Sequence, residues 1–161
     1  MKTVFAAFTL ALLPACSAGT QSNVAKVGSP APNWTMPLSA GGRLSLASLK
    51  GNPVYLNFFA TWCGPCNSEA PTINALQKKY AGQGLHVVGV DVAENTKKAQ
   101  GFREKYALVY PAVVDSGALQ SQYSVNGLPV HVFIGRDGVI RRIRVGEMSP
   151  ADIEGAIRTI L

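Results

Sequence analysis

Val54-Tyr55-Leu56-Asn57-Phe58-Phe59-Ala60-Thr61-Trp62-Cys63-Gly64-Pro65-Cys66 is the stretch on which the rest of the chain is read. Its first six residues are mostly apolar, rich in β-branched and aromatic side chains, and predict a buried strand. A short turn leads to the two cysteines, and a helical pattern begins near Pro65. Two thiols three residues apart at a helix start share one face and lie close enough to form a disulfide. Cys63 falls just before the first helical turn, where unpaired N–H groups and the positive end of the helix dipole favour a thiolate. Pro65 suits a first-turn position, where its missing N–H costs little. Thiol–disulfide exchange needs an exposed, low-pKa sulfur that attacks and a more buried sulfur that resolves the mixed disulfide. Cys63 and Cys66 are read in those two roles.

Two other readings compete for the pair. A Cys-x-x-Cys is also half of a zinc site, but zinc asks for about four ligands. The remaining candidates, Cys16, His86 and His131, are scattered singly, so no metal is expected. An inert structural bridge is the second reading, and a loop this short constrains the unfolded chain little.

The flanks read as one domain. With 161 residues, 47% hydrophobic and 15% charged, the chain is long enough for one proper core. The net charge of +6 comes without basic runs interleaved with aromatics, so no nucleic-acid partner is expected. Lys2 and the apolar run Val4–Leu13 form a targeting segment about half the ~20 residues that span a bilayer. Residues 1–15 are therefore read as a signal peptide, 16–26 as a polar linker and 27–161 as the domain. Gly41-Gly42 marks a tight turn between two short extended pieces, Trp34–Leu38 and Arg43–Leu46. The helix after the cysteines runs from about Pro65 to Tyr80, with Pro71 expected to kink it. A strand over Leu85–Val92 carries His86 at its edge, read as structural, and is apolar enough for the middle of a parallel sheet. A helix over Thr96–Tyr106, an extended piece at Pro111–Val114 and a helical turn at Ala118–Tyr123 follow. The last elements are a hairpin, Val130–Ile134 and Val139–Val145 about Arg136-Asp137-Gly138, and a helix capped at Ser149-Pro150. Arg141, Arg142 and Arg144 read as charges guarding a sheet edge, with a docking patch as the alternative.

The run from Asn57 to Cys66, with Glu69 and Pro71 after it, resembles the thioredoxin superfamily. More narrowly, it is similar to the extracytoplasmic TlpA/ResA-like thiol–disulfide oxidoreductases, over about Val27 to the C-terminus. The resemblance implies an α/β thioredoxin fold: a central mixed β-sheet flanked by helices, with an N-terminal β-hairpin extension and a central βα insertion. It implies a cis bond at Leu128-Pro129 beside the cysteines. Backbone groups of Leu128 would pair with an extended substrate, and Trp62, Gly64 and Pro65 would shape the docking surface, Trp62 packing over the site. Leu13-Pro14-Ala15-Cys16 resembles a bacterial lipobox, so Cys16 is expected to carry a lipid, leaving two thiols of the three. The alternative is ordinary cleavage nearby.

The resemblance also bears on protons. Thioredoxin has a buried Asp six residues before its first cysteine, and that position here is Asn57, which cannot titrate. ResA-like members have a functional glutamate at the position of Glu69, so Glu69 is expected to tune and deprotonate the cysteine pair; a surface carboxylate is the bland alternative. Gly-Pro between the cysteines resembles reductants, with a potential of roughly −220 to −280 mV. A reductase in an oxidising compartment needs recharging, which implies a membrane electron donor of the CcdA/DsbD kind. The family suggests apocytochrome c cysteines or other extracytoplasmic disulfide proteins as substrates, a lipid-anchored monomer at the cell envelope, and no cofactor. A copper carrier or binding module is one rival. A peroxiredoxin is the other, but it needs a Thr three residues before its cysteine and a Pro four before that, where Ala60 and Leu56 stand.

Overall fold

The computed structural model describes residues 24–161. The stretch 1–15 read as a signal peptide, and Cys16 read as the lipid-bearing residue, lie outside the described residues. The elements are β1 (Thr35–Pro37), β2 (Arg43–Ser45), β3 (Val54–Phe59), α1 (Gly64–Tyr80), β4 (His86–Val92), α2 (Thr96–Lys105), β5 (Ala112–Asp115), α3 (Ala118–Gln122), β6 (Val130–Ile134), β7 (Ile140–Val145) and α4 (Pro150–Arg158). Five strands form one sheet in the order β5-β4-β3-β6-β7. β3 pairs in parallel with β4 and antiparallel with β6, which makes the sheet mixed and places β3 at its centre. That explains why all six residues of β3 are buried: both faces of a central strand are covered.

Alternation along β3 sorts its side chains between two cores. Tyr55 and Phe59 face α1 and α4 and pack with Ile73, Phe133, Ile153 and Ile157, in the cluster that also holds both cysteines. Leu56 and Phe58 face the other way, with Trp34, Val88, Leu119, Tyr123 and Val132. Each fully buried aliphatic side chain contributes about 1.5–3 kcal/mol, so these two layers hold the sheet that carries the site. α1 runs through Pro71 as one helix of 17 residues. α4 begins where Ser149 accepts from the Asp152 N–H, a cap of the expected kind.

Both sheet edges are partly covered. The β1–β2 hairpin lies along β5, with Leu38 bridged to Val113 and the Ser39 N–H on the Ala112 carbonyl. Its turn uses Gly41 and Gly42 at positive φ, which only glycine adopts at no steric cost. α2 and β5 form the expected βα insertion, β5 adding to β4 in parallel. On the far side Gly28, Ser29 and Ala31 pair with the start of β7, and among the described residues Arg141 to Val145 form an open edge. The arginines therefore do sit on an edge strand; Arg141 pairs with Asp137 at 2.6 Å. The chain is already engaged at Ala25, whose N–H donates to the Gln122 carbonyl at 2.8 Å.

Candidate active site

β3 ends at Phe59, and the backbone turns at once: the Cys63 N–H donates to the Ala60 carbonyl at 3.1 Å. Cys63 is the N-cap of α1, extended at φ −77°, and its Sγ accepts from the Cys66 N–H at 3.2 Å. The two cysteines form a disulfide. The expectation of an exposed attacking sulfur is not met here: Cys63 is 5% exposed and Cys66 2%. The order is as expected but the difference is small, because the oxidised pair is tucked against the sheet. Trp62 is corrected more firmly. It is 72% exposed, so it stands out beside the disulfide rather than packing over it.

The turn is fixed from two sides. Asn67, in the first turns of α1, donates through Nδ2 to the carbonyls of Thr61 at 3.0 Å and Cys63 at 2.7 Å. Its Oδ1 accepts from Lys105 and from the Tyr106 hydroxyl on the α2 side. Glu94, after β4, accepts the Thr61 N–H at 2.6 Å and the Thr61 hydroxyl at 2.8 Å. Burial works against the charge of Glu94, but the Thr61 bonds and Lys98 outweigh it and hold its carboxyl below the usual range. Leu128-Pro129 is cis. Pro129 precedes Val130, which pairs with Phe58, so it lies at the same end of the sheet as the cysteine turn.

Glu69 is not a surface carboxylate. It is 4% exposed, one helical turn beyond Cys66 on the buried face of α1. Its Oε1 accepts the Met148 N–H at 2.6 Å, and its Oε2 has no hydrogen-bond partner among the described residues. Burial pushes its pKa up to about 7; the Met148 N–H pulls it down and Glu147 adds to the rise. His131 Nε2 lies 3.6 Å from the free Oε2, beyond hydrogen-bond length. Burial lowers His131 to about 4, so the imidazole is neutral where Glu69 ionises and the approach is not an ion pair. His131 Nε2–H instead donates to the Gly146 carbonyl at 3.2 Å, which leaves Nδ1 to accept the Tyr55 hydroxyl at 2.8 Å.

Sequence reasoning left His131 without a role and did not consider Tyr55, Asn67 or Glu94. The signal for His131 was a register: it pairs with Asn57 across β3 and β6, which turns both toward α1. Asn57 is buried beside it, Nδ2 at 3.5 Å from Nδ1. Among the described residues no group of three or more His, Cys, Asp or Glu side chains is placed to hold a metal ion.

Comparison with known proteins agrees with this geometry. The model of the AhpC/TSA family matches residues 27–143. The thiol-disulfide oxidoreductase ResA of Bacillus cereus is 34% identical over 136 residues, 84% of this chain and 79% of that protein. A putative thiol:disulfide interchange protein DsbE from Chlorobium tepidum superposes with a TM-score of 0.79 at 30% identity, covering 84% of this chain and 98% of that one. A secreted Mycobacterium tuberculosis disulfide oxidoreductase, homologous to E. coli DsbE, superposes with a TM-score of 0.71 at 28% identity, covering 78% and 95%.

Proposed function

We infer that this chain, which belongs to the AhpC/TSA family and is a ResA-like member of the thioredoxin superfamily, reduces disulfides of extracytoplasmic proteins. It is a thiol–disulfide oxidoreductase. The observation that carries the roles is the Cys63–Cys66 disulfide at the start of α1, with a buried Glu69 one turn behind Cys66; the direction rests on Gly64-Pro65 between the cysteines, a pair that resembles those of reductants. Cys63 thiolate attacks a substrate disulfide, Cys66 releases the substrate by attacking Cys63, and Glu69 takes the Cys66 proton. The open backbone at Leu128, before cis Pro129, receives the substrate strand, and exposed Trp62 with Gly64 and Pro65 borders it. Peroxidase chemistry is disfavoured despite the family's breadth, because Ala60 and Leu56 stand where the peroxidatic Thr and Pro would be.

The electron donor fits a membrane dithiol protein of the CcdA/DsbD type, and apocytochrome c is one substrate class of suitable chemistry. The extracytoplasmic setting is supported by the secreted M. tuberculosis relative and by the lipobox-like Leu13 to Cys16. We place the protein at the bacterial envelope as a monomer tethered by lipid on Cys16. Cys16→Ala is expected to abolish both processing and membrane partitioning; a wild-type protein that is wholly soluble with its N-terminus elsewhere would remove the anchor. The function itself is tested by equilibrating the protein with glutathione and then offering it a disulfide protein. A potential in the roughly −220 to −280 mV range, with faster reduction than oxidation of the substrate, is expected. A value near the DsbA end, about −120 mV, would reverse the direction. Stoichiometric copper binding by the reduced pair without turnover would favour a carrier.

A further inference from the structure

Asp91 is a second buried acid near the cysteine turn. It lies on β4 in register with Phe59, the last residue of β3 before that turn. Its face follows from Gly89 two residues earlier, where an added Cβ would touch Phe59, Tyr110 and Ala112 on the α1 side of the sheet. Asp91 shares that face. It is wholly enclosed, and neither carboxylate oxygen has a hydrogen-bond partner among the described residues. Its in-register neighbours, Phe59 on β3 and Val114 on β5, are apolar, and α2 turns Ala99 and Phe102 inward. The charged groups acting on it are Glu94 and Lys98, themselves paired at 3.0 Å. Glu94 also holds Thr61, two residues before Cys63. Burial raises the Asp91 pKa to about 7, with Glu94 adding to the rise and Lys98 opposing it.

An unpartnered carboxyl in an apolar core is a cost in either protonation state, and a larger one when charged. Glu69 stands apart from it: Glu69 neighbours His131 of β6, and β3 lies between β6 and β4. We propose that Asp91 is a positioning residue of the redox couple, holding a proton while the cysteines are reduced and releasing it when they are oxidised. The proposal rests on the reading of Cys63–Cys66 as a working couple. A donor dithiol brings two electrons and two hydrogens. The Cys63–Cys66 bond breaks as the donor's own disulfide forms; one proton stays on Cys66, the other passes to the Asp91 carboxylate, and Cys63 is left as thiolate. The site's charge is conserved, moving from Asp91 to Cys63. Asp91 is in register with Phe59, which packs in the same cluster as Cys63; two anions on that buried side of the sheet oppose each other, so each raises the other's affinity for a proton.

The test uses Asp91→Asn in the full chain, which keeps shape and removes the charge. Just above neutral pH the wild type is expected to take up close to two protons with two electrons in glutathione equilibria, and the variant closer to one. The Cys63 pKa, read from the pH profile of alkylation, should fall by about half a unit or more in the variant. An unchanged proton count and an unchanged Cys63 pKa, with normal exchange, would overturn this proposal alone. A wild-type disulfide that fails to equilibrate with any thiol donor would overturn the redox reading and this proposal with it. Should the variant fold poorly, carbon-13 NMR of the wild-type Asp91 carboxyl decides. It should titrate near neutrality in the disulfide form and higher after reduction; the same midpoint in both states refutes the linkage.

Discussion

Cys63→Ala is expected to reduce turnover of disulfide substrates to the uncatalysed level, whereas Cys66→Ala should keep the first attack and stall at a mixed disulfide. The asymmetry comes from the helix end. Cys63 caps a helix of 17 residues and already accepts the Cys66 N–H at 3.2 Å. In the reduced protein that N–H and the helix dipole stabilise a thiolate, a charge-assisted bond stronger than a neutral one. Cys66, one turn into the helix and 2% exposed, has less solvent and no cap geometry to favour its anion. Cys63 should therefore be alkylated first, with a pKa below the ~8.5 of a free thiol. Cys66→Ala also serves as the capture reagent for true partners, since only the resolving sulfur is missing. If iodoacetamide labels Cys66 first in the reduced wild type, the two roles are exchanged and the substrate must reach the deeper sulfur.

The cysteine turn was legible because every level agreed: an apolar strand, a turn, a helix-starting Pro65 and a sequence spacing that put two sulfurs on one face. The α4 cap was legible for the same reason, Ser149 and Pro150 being local signals. The cis bond at Pro129 came from resemblance alone; nothing in Gly127-Leu128-Pro129 fixes it. Register was the main thing the sequence hid. His131 reads as one polar residue in an apolar run, and only its pairing with Asn57 shows that it faces α1. The Met148 N–H reaches Glu69 across 79 positions, and no local pattern announces that contact. Asp91 was visible as the lone acid in His-Val-Val-Gly-Val-Asp-Val, yet a strand read as continuously apolar absorbed it. Trp62 failed in the opposite sense, since an aromatic beside a buried site invites packing that the turn geometry does not provide.

Glu69→Gln should slow reduction of disulfide substrates by about ten-fold or more, the usual size of a lost general-base contribution, while the Cys63–Cys66 bond still forms. The pH dependence identifies the cause. Glu69 ionises near 7 because burial raises it from 4.5, and only the ionised form accepts the Cys66 proton. The wild-type rate should therefore climb through about pH 7, and the glutamine variant should lack that step. Stability should move the other way. A carboxyl whose pKa is raised on folding contributes most below its unfolded pKa, and that contribution is lost as pH rises through the folded value. For Glu69 the window runs from 4.5 to about 7, and the loss is on the order of 3 kcal/mol. Glutamine can keep an oxygen on the Met148 N–H at 2.6 Å without ever becoming an anion. Glu69→Gln should thus match the wild type in urea denaturation near pH 4 and exceed it above pH 7. A variant slower at every pH by one constant factor, with an unchanged stability profile between pH 4 and 8, would leave the helix dipole as the main influence on the cysteines. A slower variant that is also more stable at alkaline pH would mean that the buried carboxylate is retained for proton transfer at a cost to the fold.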